Sequence, residues 1–235
     1  MKNPWDELTS KDEITDYILK SELPVINKFN ELQRIISKDE YYNYHIHTRI
    51  LPAPFMGDVM NSPIVLLTLN PGWDEEEAKK DFYNKYSAYW ITMLTHEFPI
   101  PDLPLFCLDE EYAESSPYWV NKLTPLIEET SKEAVARNIS VIQFFPYQSK
   151  KYKGMYKKLS DGFLESQKYN FELVKNAIDR KALIIILRGR RIWKDAVEEL
   201  KGYPRLKYTN SVLNPILSEN NLGSDVFFEI LEKIK

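Results

Sequence analysis

The stretch IVLLTLNPG at residues 64–72 sets the architecture of this chain, because a run of apolar, partly β-branched residues stops there at a turn. From Ile64 to Leu69 apolar and polar residues do not alternate, which indicates a strand buried on both faces. The turn Asn70-Pro71-Gly72 then ends the strand, since proline and glycine interrupt regular structure. In sheets of such strands, ligands bind beyond the carboxyl ends, so we expect the ligand site at this turn.

Three further runs of the same kind follow along the chain, at residues 139–145, 182–187 and 206–208. Segments with helical spacing of apolar residues lie between or around them, over 22–37, 75–95, 118–138 (as one helix or two), 160–180, 191–201 and from about 224 onward. Strands that alternate with helices of this length predict an α/β fold. We expect a three-layer αβα sandwich with a four-stranded, mainly parallel central sheet.

The composition is that of a folded domain with a full core. Of the 235 residues, 43% are hydrophobic and 13% are aromatic, which excludes a disordered or low-complexity chain. We expect a single domain, with a mostly helical N-terminal extension over residues 1–60 and the α/β core over 61–235. The lone cysteine, Cys107, excludes a disulfide framework and an all-cysteine metal cluster, and its apolar neighbours predict that it is buried.

Neither a targeting segment nor a membrane span is indicated by the sequence. The N-terminal stretch MKNPWDELTSKDE has no apolar region typical of a signal peptide. No run approaches the roughly 18 consecutive apolar residues that a spanning helix needs. We therefore expect a cytoplasmic protein that does not associate with membranes.

The net charge of −4 hides a basic C-terminal third. Residues 1–147 carry 13 Lys and Arg against 24 Asp and Glu, whereas residues 148–235 carry 18 against 11. Two clusters dominate the basic part, one over 150–158 with interleaved tyrosines and one over 188–194. Such clusters suit a nucleic-acid backbone with bases stacked nearby, although a solvated loop and helix face would have the same composition.

The topology brings four loops to one edge of the predicted sheet, because each follows a strand. These loops are residues 70–73, 146–153, 188–193 and 210–222. Both basic clusters then flank one crevice, which favours a functional role for their charges. The sequence therefore predicts a polar crevice with a cationic mouth.

The same segments resemble the uracil-DNA glycosylase superfamily. The strand and turn IVLLTLNPGW at 64–73 are similar to its first motif, with Thr68 in the place of a glycine, and LKYTNSVLNPILSENNL at 206–222 is similar to its second. Residues 138–149 and 183–193 fall where the family has its two middle strands. The branches most similar are the mismatch-specific and single-strand-selective ones, so the resemblance implies a glycosylase-like fold over about 64–235.

The resemblance implies cleavage of the N-glycosidic bond of uracil or another damaged base flipped out of DNA. Asn70 would position the attacking water and Asn214 would donate a hydrogen bond to the leaving base. The turn residues Pro71, Gly72 and Trp73 would line the base pocket, with Gln143 reading the base edge. The stacking ring would be Trp73, Phe82 or Tyr147. We expect the phosphates of single-stranded DNA, or of mismatched or damaged duplex, to contact Lys150, Lys151, Lys153, Arg188, Arg190 and Arg191.

Other interpretations stay open at this point. The chain could be a catalytically inactive module of the same fold that binds a nucleotide, nucleic acid or protein. The acidic run 74–77 could supply a base, Asp74 above all, or simply begin a helix. The pair His45 and His47 has no third ligand at a recognised spacing, which favours a structural role. No cofactor motif and no metal site is present in the sequence, and the oligomeric state is not determined.

Overall fold

A five-stranded sheet forms the centre of the protein, in a computed structural model that describes residues 2–9, 17–73, 80–154 and 162–235. The side chains of residues 80–84 are not among those described. The strands are Phe55–Met56 (β1), Ile64–Thr68 (β2), Ile139–Gln143 (β3), Leu183–Ile186 (β4) and Leu206–Tyr208 (β5). All residues of β2, β3 and β4 are buried, as their unbroken apolar runs predict.

The strand order is β1-β3-β2-β4-β5, so the chain places β3 on one side of β2 and β4 on the other. Ile64 pairs with Ile139 in β3 and with Leu183 in β4, both in parallel register. The carboxyl ends of these three strands are therefore level. The point at which the strand order reverses lies at β2, and this is where open α/β sheets bind ligands.

The α/β class is confirmed, but the expectation of four strands is wrong. The fifth strand, β1, pairs antiparallel with β3, with Phe55 opposite Ile142, and makes the sheet mixed. A two-residue strand between Pro54 and Gly57 is too short to show any periodicity in the sequence. It also occupies the sheet edge, the position where a neighbouring proline is tolerated.

The helices begin and end close to the predicted positions. The segment 118–138 contains two helices, because Ser131 begins the second one by accepting a hydrogen bond from the Ala134 amide. Residues 75–79 and 160–161, which were predicted to be helical, lie outside the described residues. Residues 162–164 are not helical, and 197–201 contains the short 3-10 helix Glu198–Leu200 instead of α-helix. The described α-helices are Asp6–Thr9 (α1), Leu23–Ile36 (α2), Tyr41–Tyr44 (α3), Lys80–Leu94 (α4), Glu110–Ser115 (α5), Tyr118–Glu129 (α6), Lys132–Asn138 (α7), Glu165–Asp179 (α8), Arg190–Ala196 (α9), Glu219–Leu222 (α10) and Ser224–Ile234 (α11).

The first sixty residues contribute to the core as well as to its surface. Trp5, Phe29 and Phe55 are fully buried. Glu22 is also buried, and its carboxylate accepts hydrogen bonds from the Tyr147 hydroxyl at 2.6 Å and from the Ser166 amide at 2.7 Å. This N-terminal part therefore supplies an edge strand and packs against the loop that follows β3.

Two expectations from composition can be compared with the described residues. Cys107 is buried, as its apolar neighbours predict, and burial raises the pKa of its thiol. Within the described part of the chain, no helix has both the length and the apolar character that crossing a membrane requires.

Candidate functional site

A cavity of about 550 Å³ lies at the carboxyl ends of β2, β3 and β4. The loop after β2 contributes Leu69–Trp73, the end of β3 and its loop contribute Gln143, Gln148 and 150–152, and Arg188 follows β4. Three of the four predicted loops therefore meet at one place. The volume is in the range of small-molecule sites and is large enough for a nucleotide.

Asn70 joins two of these loops. Its side-chain Nδ2 donates to the Ser149 carbonyl at 2.9 Å, to the Ser149 hydroxyl at 3.0 Å and to the Pro71 carbonyl at 3.0 Å. These bonds fix the plane of the amide, and no described residue donates to its oxygen. Asn70 thus presents a hydrogen-bond acceptor in a defined orientation, with buried Pro71 and exposed Gly72 beside it on the cavity wall.

Gln143 ends β3 inside the cavity, with only 4% of its surface exposed. Its backbone is anchored, since its amide donates to Pro54 at 2.9 Å and its carbonyl accepts from Asn170 at 2.8 Å. The side-chain Oε1 is buried and has no hydrogen-bond partner among the described residues. A buried polar atom without a partner costs about 1–3 kcal/mol, so this amide is placed for a ligand that supplies the missing donor.

Trp73 forms one wall of the cavity and is supported from behind. The His47 ring stacks on the indole with centroids 4.0 Å apart and planes 15° apart. Burial lowers the pKa of His47 to about 4, helped by the neighbouring His45, so His47 is neutral at physiological pH. The indole Nε1 is a second buried cavity atom without a partner in the part of the chain that the structure describes.

A further part of the cavity lining is aromatic and was not predicted. It consists of Trp90 from α4, Tyr112 from α5, and Tyr118 and Trp119 from the start of α6. In the sequence these residues resemble ordinary core residues, because their convergence depends on how three helices pack. The richness of aromatic residues around 112–119 is the only sequence feature that could have indicated this part of the lining.

The cationic mouth contains three of the six basic residues predicted to bind phosphates. Lys150 and Lys151 line the cavity and are exposed, and Arg188 lines it as a half-buried residue. Arg188 is held by the carbonyls of Val212 and Leu213, at 3.1 and 3.0 Å. Among the described residues, the cavity lining contains these three basic side chains and no carboxylate.

Two further features lie close to Arg188. Lys122, which the sequence did not indicate, donates to the Asn214 side chain, and burial followed by the charge of Arg188 lowers its pKa. Gly189 has a φ of +75°, and a Cβ there would lie 2.3 Å from Leu69. Glycine therefore lets the loop after β4 approach the loop after β2 closely.

The other three basic residues do not line the cavity. Lys153 donates to Gln33 and lies over the Tyr44 ring at 4.5 Å. Arg190 lies over the Tyr208 ring at 3.7 Å. Arg191 is almost fully exposed and pairs with Asp195 at 3.5 Å on its own helix. Their charges contribute to the surrounding surface and not to the cavity wall.

Two predicted site residues lie elsewhere. Asn214 is exposed and lines a separate shallow depression. Its loop follows the edge strand β5 and is held by its own hydrogen bonds, including the one that Asn221 donates to the Ile216 carbonyl. Tyr147 is fully buried, with its hydroxyl bonded to Glu22 and to the Leu19 amide. It is not available to stack on a base.

The remaining candidates concern metals and acids. No group of three or more His, Cys, Asp or Glu side chains is arranged to hold a metal ion within the described ranges. His45 and His47 lie edge to face with centroids 5.1 Å apart. The acidic run 74–77 and the side chain of Phe82 are outside the described residues.

No protein-family model, no curated protein and no solved structure matches the chain. The function is therefore argued from the geometry of the cavity.

Proposed function

We propose that the protein is a DNA glycosylase-like enzyme that cleaves the N-glycosidic bond of uracil or another damaged base. The observation that carries this proposal is the buried Oε1 of Gln143, which has no hydrogen-bond partner among the described residues and lies in a cavity that Asn70 and several aromatic side chains also line. A flipped base would leave the solvent to enter such a cavity.

The cavity groups match the chemistry of a pyrimidine edge. A glutamine amide presents one acceptor and one donor side by side, and the imide edge of uracil presents a donor next to an acceptor. Trp73, held by His47, offers an indole face for stacking, worth about 1–3 kcal/mol per base. Lys150, Lys151 and Arg188 line the cavity and would contact the flanking phosphates.

Asn70 would take part in the reaction through its side-chain oxygen. This oxygen would accept a hydrogen bond from a water molecule and orient it toward C1′ of the sugar. The water adds to C1′ as the bond to the base breaks, and the base leaves as an anion with the bonding electron pair. The proton that the water releases passes to solvent, from which the base is protonated. An amide is a poor base, so the rate would depend on positioning and on the cationic surroundings of the leaving base.

The topology supports the finer fold assignment. In a three-layer glycosylase-like fold, the strand that carries the first motif would lie between two parallel neighbours. Here β2 lies between β3 and β4, and its turn opens into the cavity. The antiparallel β1 is an addition at the edge of this arrangement.

The proposal is tested by incubating the protein with single- and double-stranded oligonucleotides that contain uracil, followed by alkaline strand scission. We expect cleavage, with Asn70→Ala and Gln143→Leu both inactive. Gln143→Leu is the cleaner variant, because the Gln143 Oε1 has no hydrogen-bond partner among the described residues. Absence of abasic product at enzyme excess across uracil and other damaged bases would reject the catalytic proposal.

A second candidate function is a non-catalytic module that binds a nucleotide or single-stranded nucleic acid. It is favoured by one observation: neither a carboxylate nor a histidine lines the cavity among the described residues. The cleavage assay distinguishes the two candidates, because the binding module would release no base. It would still bind the oligonucleotide, with an affinity that falls steeply as the salt concentration rises.

A further inference from the structure

We infer that a strip of three tyrosines beside the cavity binds the unpaired bases of the strand that continues beyond the flipped nucleotide. This tyrosine strip consists of Tyr41, Tyr42 and Tyr44 on α3. The inference rests on the proposed function and deepens it, since it makes single-stranded nucleic acid the substrate class.

Two of the three rings of the strip are exposed, and Tyr44 is half-buried. Tyr42 is 51% exposed and Tyr41 is 37% exposed, and their rings meet edge to face with centroids 6.3 Å apart. Large aromatic side chains usually bury their area, so a neighbouring pair at the surface indicates an interaction site. Stacking on bases is the interaction that uses an aromatic face and needs no particular sequence.

Each ring of the strip has a cation over it. Lys150 lies 5.7 Å from the Tyr42 centroid, Lys153 lies 4.5 Å from that of Tyr44, and Arg34 lies 6.0 Å from that of Tyr41. A single strand offers a phosphate next to every base. The alternation of rings and cations therefore matches the alternation of bases and phosphates.

The strip is continuous with the cavity. Lys150 both lines the cavity and lies over Tyr42, so one side chain belongs to both surfaces. The Lys151 amide donates to the Asn43 carbonyl at 2.7 Å, which fastens the loop at the cavity mouth to the middle of α3. A strand that has one base in the cavity would meet Tyr42 directly outside it.

Single-stranded nucleic acid is favoured over duplex because the bases of a duplex are stacked on each other and cannot reach the rings. Other occupants would use the neighbouring apolar surface. Ile35 is 73% exposed and Ile36 is 53% exposed at the end of α2. A second copy of the chain or a protein partner would bury these two side chains, whereas a strand on the tyrosines would leave them exposed.

The test measures binding of fluorescent oligothymidylate by anisotropy, with a long strand of about twelve nucleotides and a short one of about four. We expect the double variant Tyr41→Ala, Tyr42→Ala to lose about 5-fold or more in affinity for the long strand and nothing for the short one. Tyr42→Phe should bind like the unchanged protein, since its ring still stacks. Phe228→Ala removes a ring that is 53% exposed on α11 and is the matched control.

Three outcomes would overturn the inference. The first is unchanged binding of the long strand by the double variant. The second is an equal loss with a duplex of the same length. The third is self-association that Ile35→Asp abolishes, which would assign the surface to a second copy. The two proposals fail in different ways. If the tyrosine strip does not bind the strand, cleavage of short uracil oligonucleotides is still expected. If the protein is not a glycosylase, binding of the long strand is still expected.

Discussion

The ring of His47 lies parallel to the indole of Trp73, with centroids 4.0 Å apart. His47 comes from the N-terminal part of the chain and Trp73 from the loop after β2, so the stack joins two distant segments. The His47 amide also donates to the Gln148 carbonyl at 3.0 Å, which ties the histidine to the loop after β3. The cavity wall at Trp73 is thus held in place by a neighbour outside the sheet.

Removal of this support should weaken ligand binding. An aromatic pair contributes about 0.5–1.5 kcal/mol beyond burial, so His47→Ala should lower the affinity for a uracil-containing strand by about 2- to 10-fold. His47→Phe keeps a flat ring behind Trp73 and should bind normally. Anisotropy titrations measure both, and equal affinity for all three proteins would show that the stack does not position the indole.

His47 should also make stability depend on pH. Its pKa is about 4 in the folded protein, mainly because of burial, and about 6.5 when unfolded. Between these values the unfolded state binds more protons, so the contribution of the neutral ring is present above pH 6.5 and is lost as the pH falls toward 4. As the pH falls over this range, the free energy of unfolding of the unchanged protein in urea should decrease by on the order of 2 kcal/mol.

The control for this pH effect is His47→Phe, which cannot titrate. Glu22 has the opposite effect on the pH dependence of stability. Burial raises its pKa above 4.5, so its contribution to the free energy of unfolding is lost as the pH rises above that value. Both proteins contain Glu22, so its effect cancels when their free energies of unfolding are compared at the same pH. Parallel stability curves would contradict the assignment of the slope to His47.

Asn70→Asp should not create a better catalyst. A carboxylate has no hydrogen to donate, and it would face the Ser149 carbonyl oxygen that now accepts at 2.9 Å. We expect a loss of about 1–3 kcal/mol in the free energy of unfolding and no cleavage. Thermal unfolding measures the first, with Asn176→Asp on an exposed helical position as the control. Faster cleavage at an unchanged melting temperature would disprove this account.

Gln143→Leu should separate stability from binding. The substitution removes a buried oxygen without a partner among the described residues and fills the space with an apolar side chain. The melting temperature should rise by a few degrees, while affinity for uracil-containing strands falls by about 10-fold or more. Calorimetry and anisotropy on the same preparation measure the two effects. A lower melting temperature with unchanged binding would be inconsistent with a ligand-reading role.

The sequence was sufficient to predict the part of the site that depends on sheet topology. Unbroken apolar runs indicate buried parallel strands, and parallel strands bring Asn70, Gln143 and Arg188 to one edge of the sheet. The strand Phe55–Met56 could not be predicted, because two residues show no period. Its place in the sheet depends on pairing with Ile142 and Val141, far along the chain.

The aromatic lining of the cavity and the position of Asn214 outside it have a common physical reason. Trp119 belongs to the site through helix packing, and His47 through a contact with Trp73, neither of which leaves a local pattern. Asn214 resembled a motif residue, but the hydrogen bonds of its own loop hold it outside the cavity. Long-range contacts determined these positions, and sequence patterns report only neighbours along the chain.

The buried carboxylate of Glu22 has a practical consequence for any use of this site in another protein. Through Tyr147 and Ser166 it fastens the N-terminal part to the loop after β3 and to the beginning of α8. A minimal scaffold cut at residue 61 would retain every strand end around the cavity. It would still lose a sheet edge, the ring behind Trp73 and the acceptor of a buried hydroxyl. The smallest part of the chain that could carry this cavity into another protein is therefore larger than the sheet and its crossover helices.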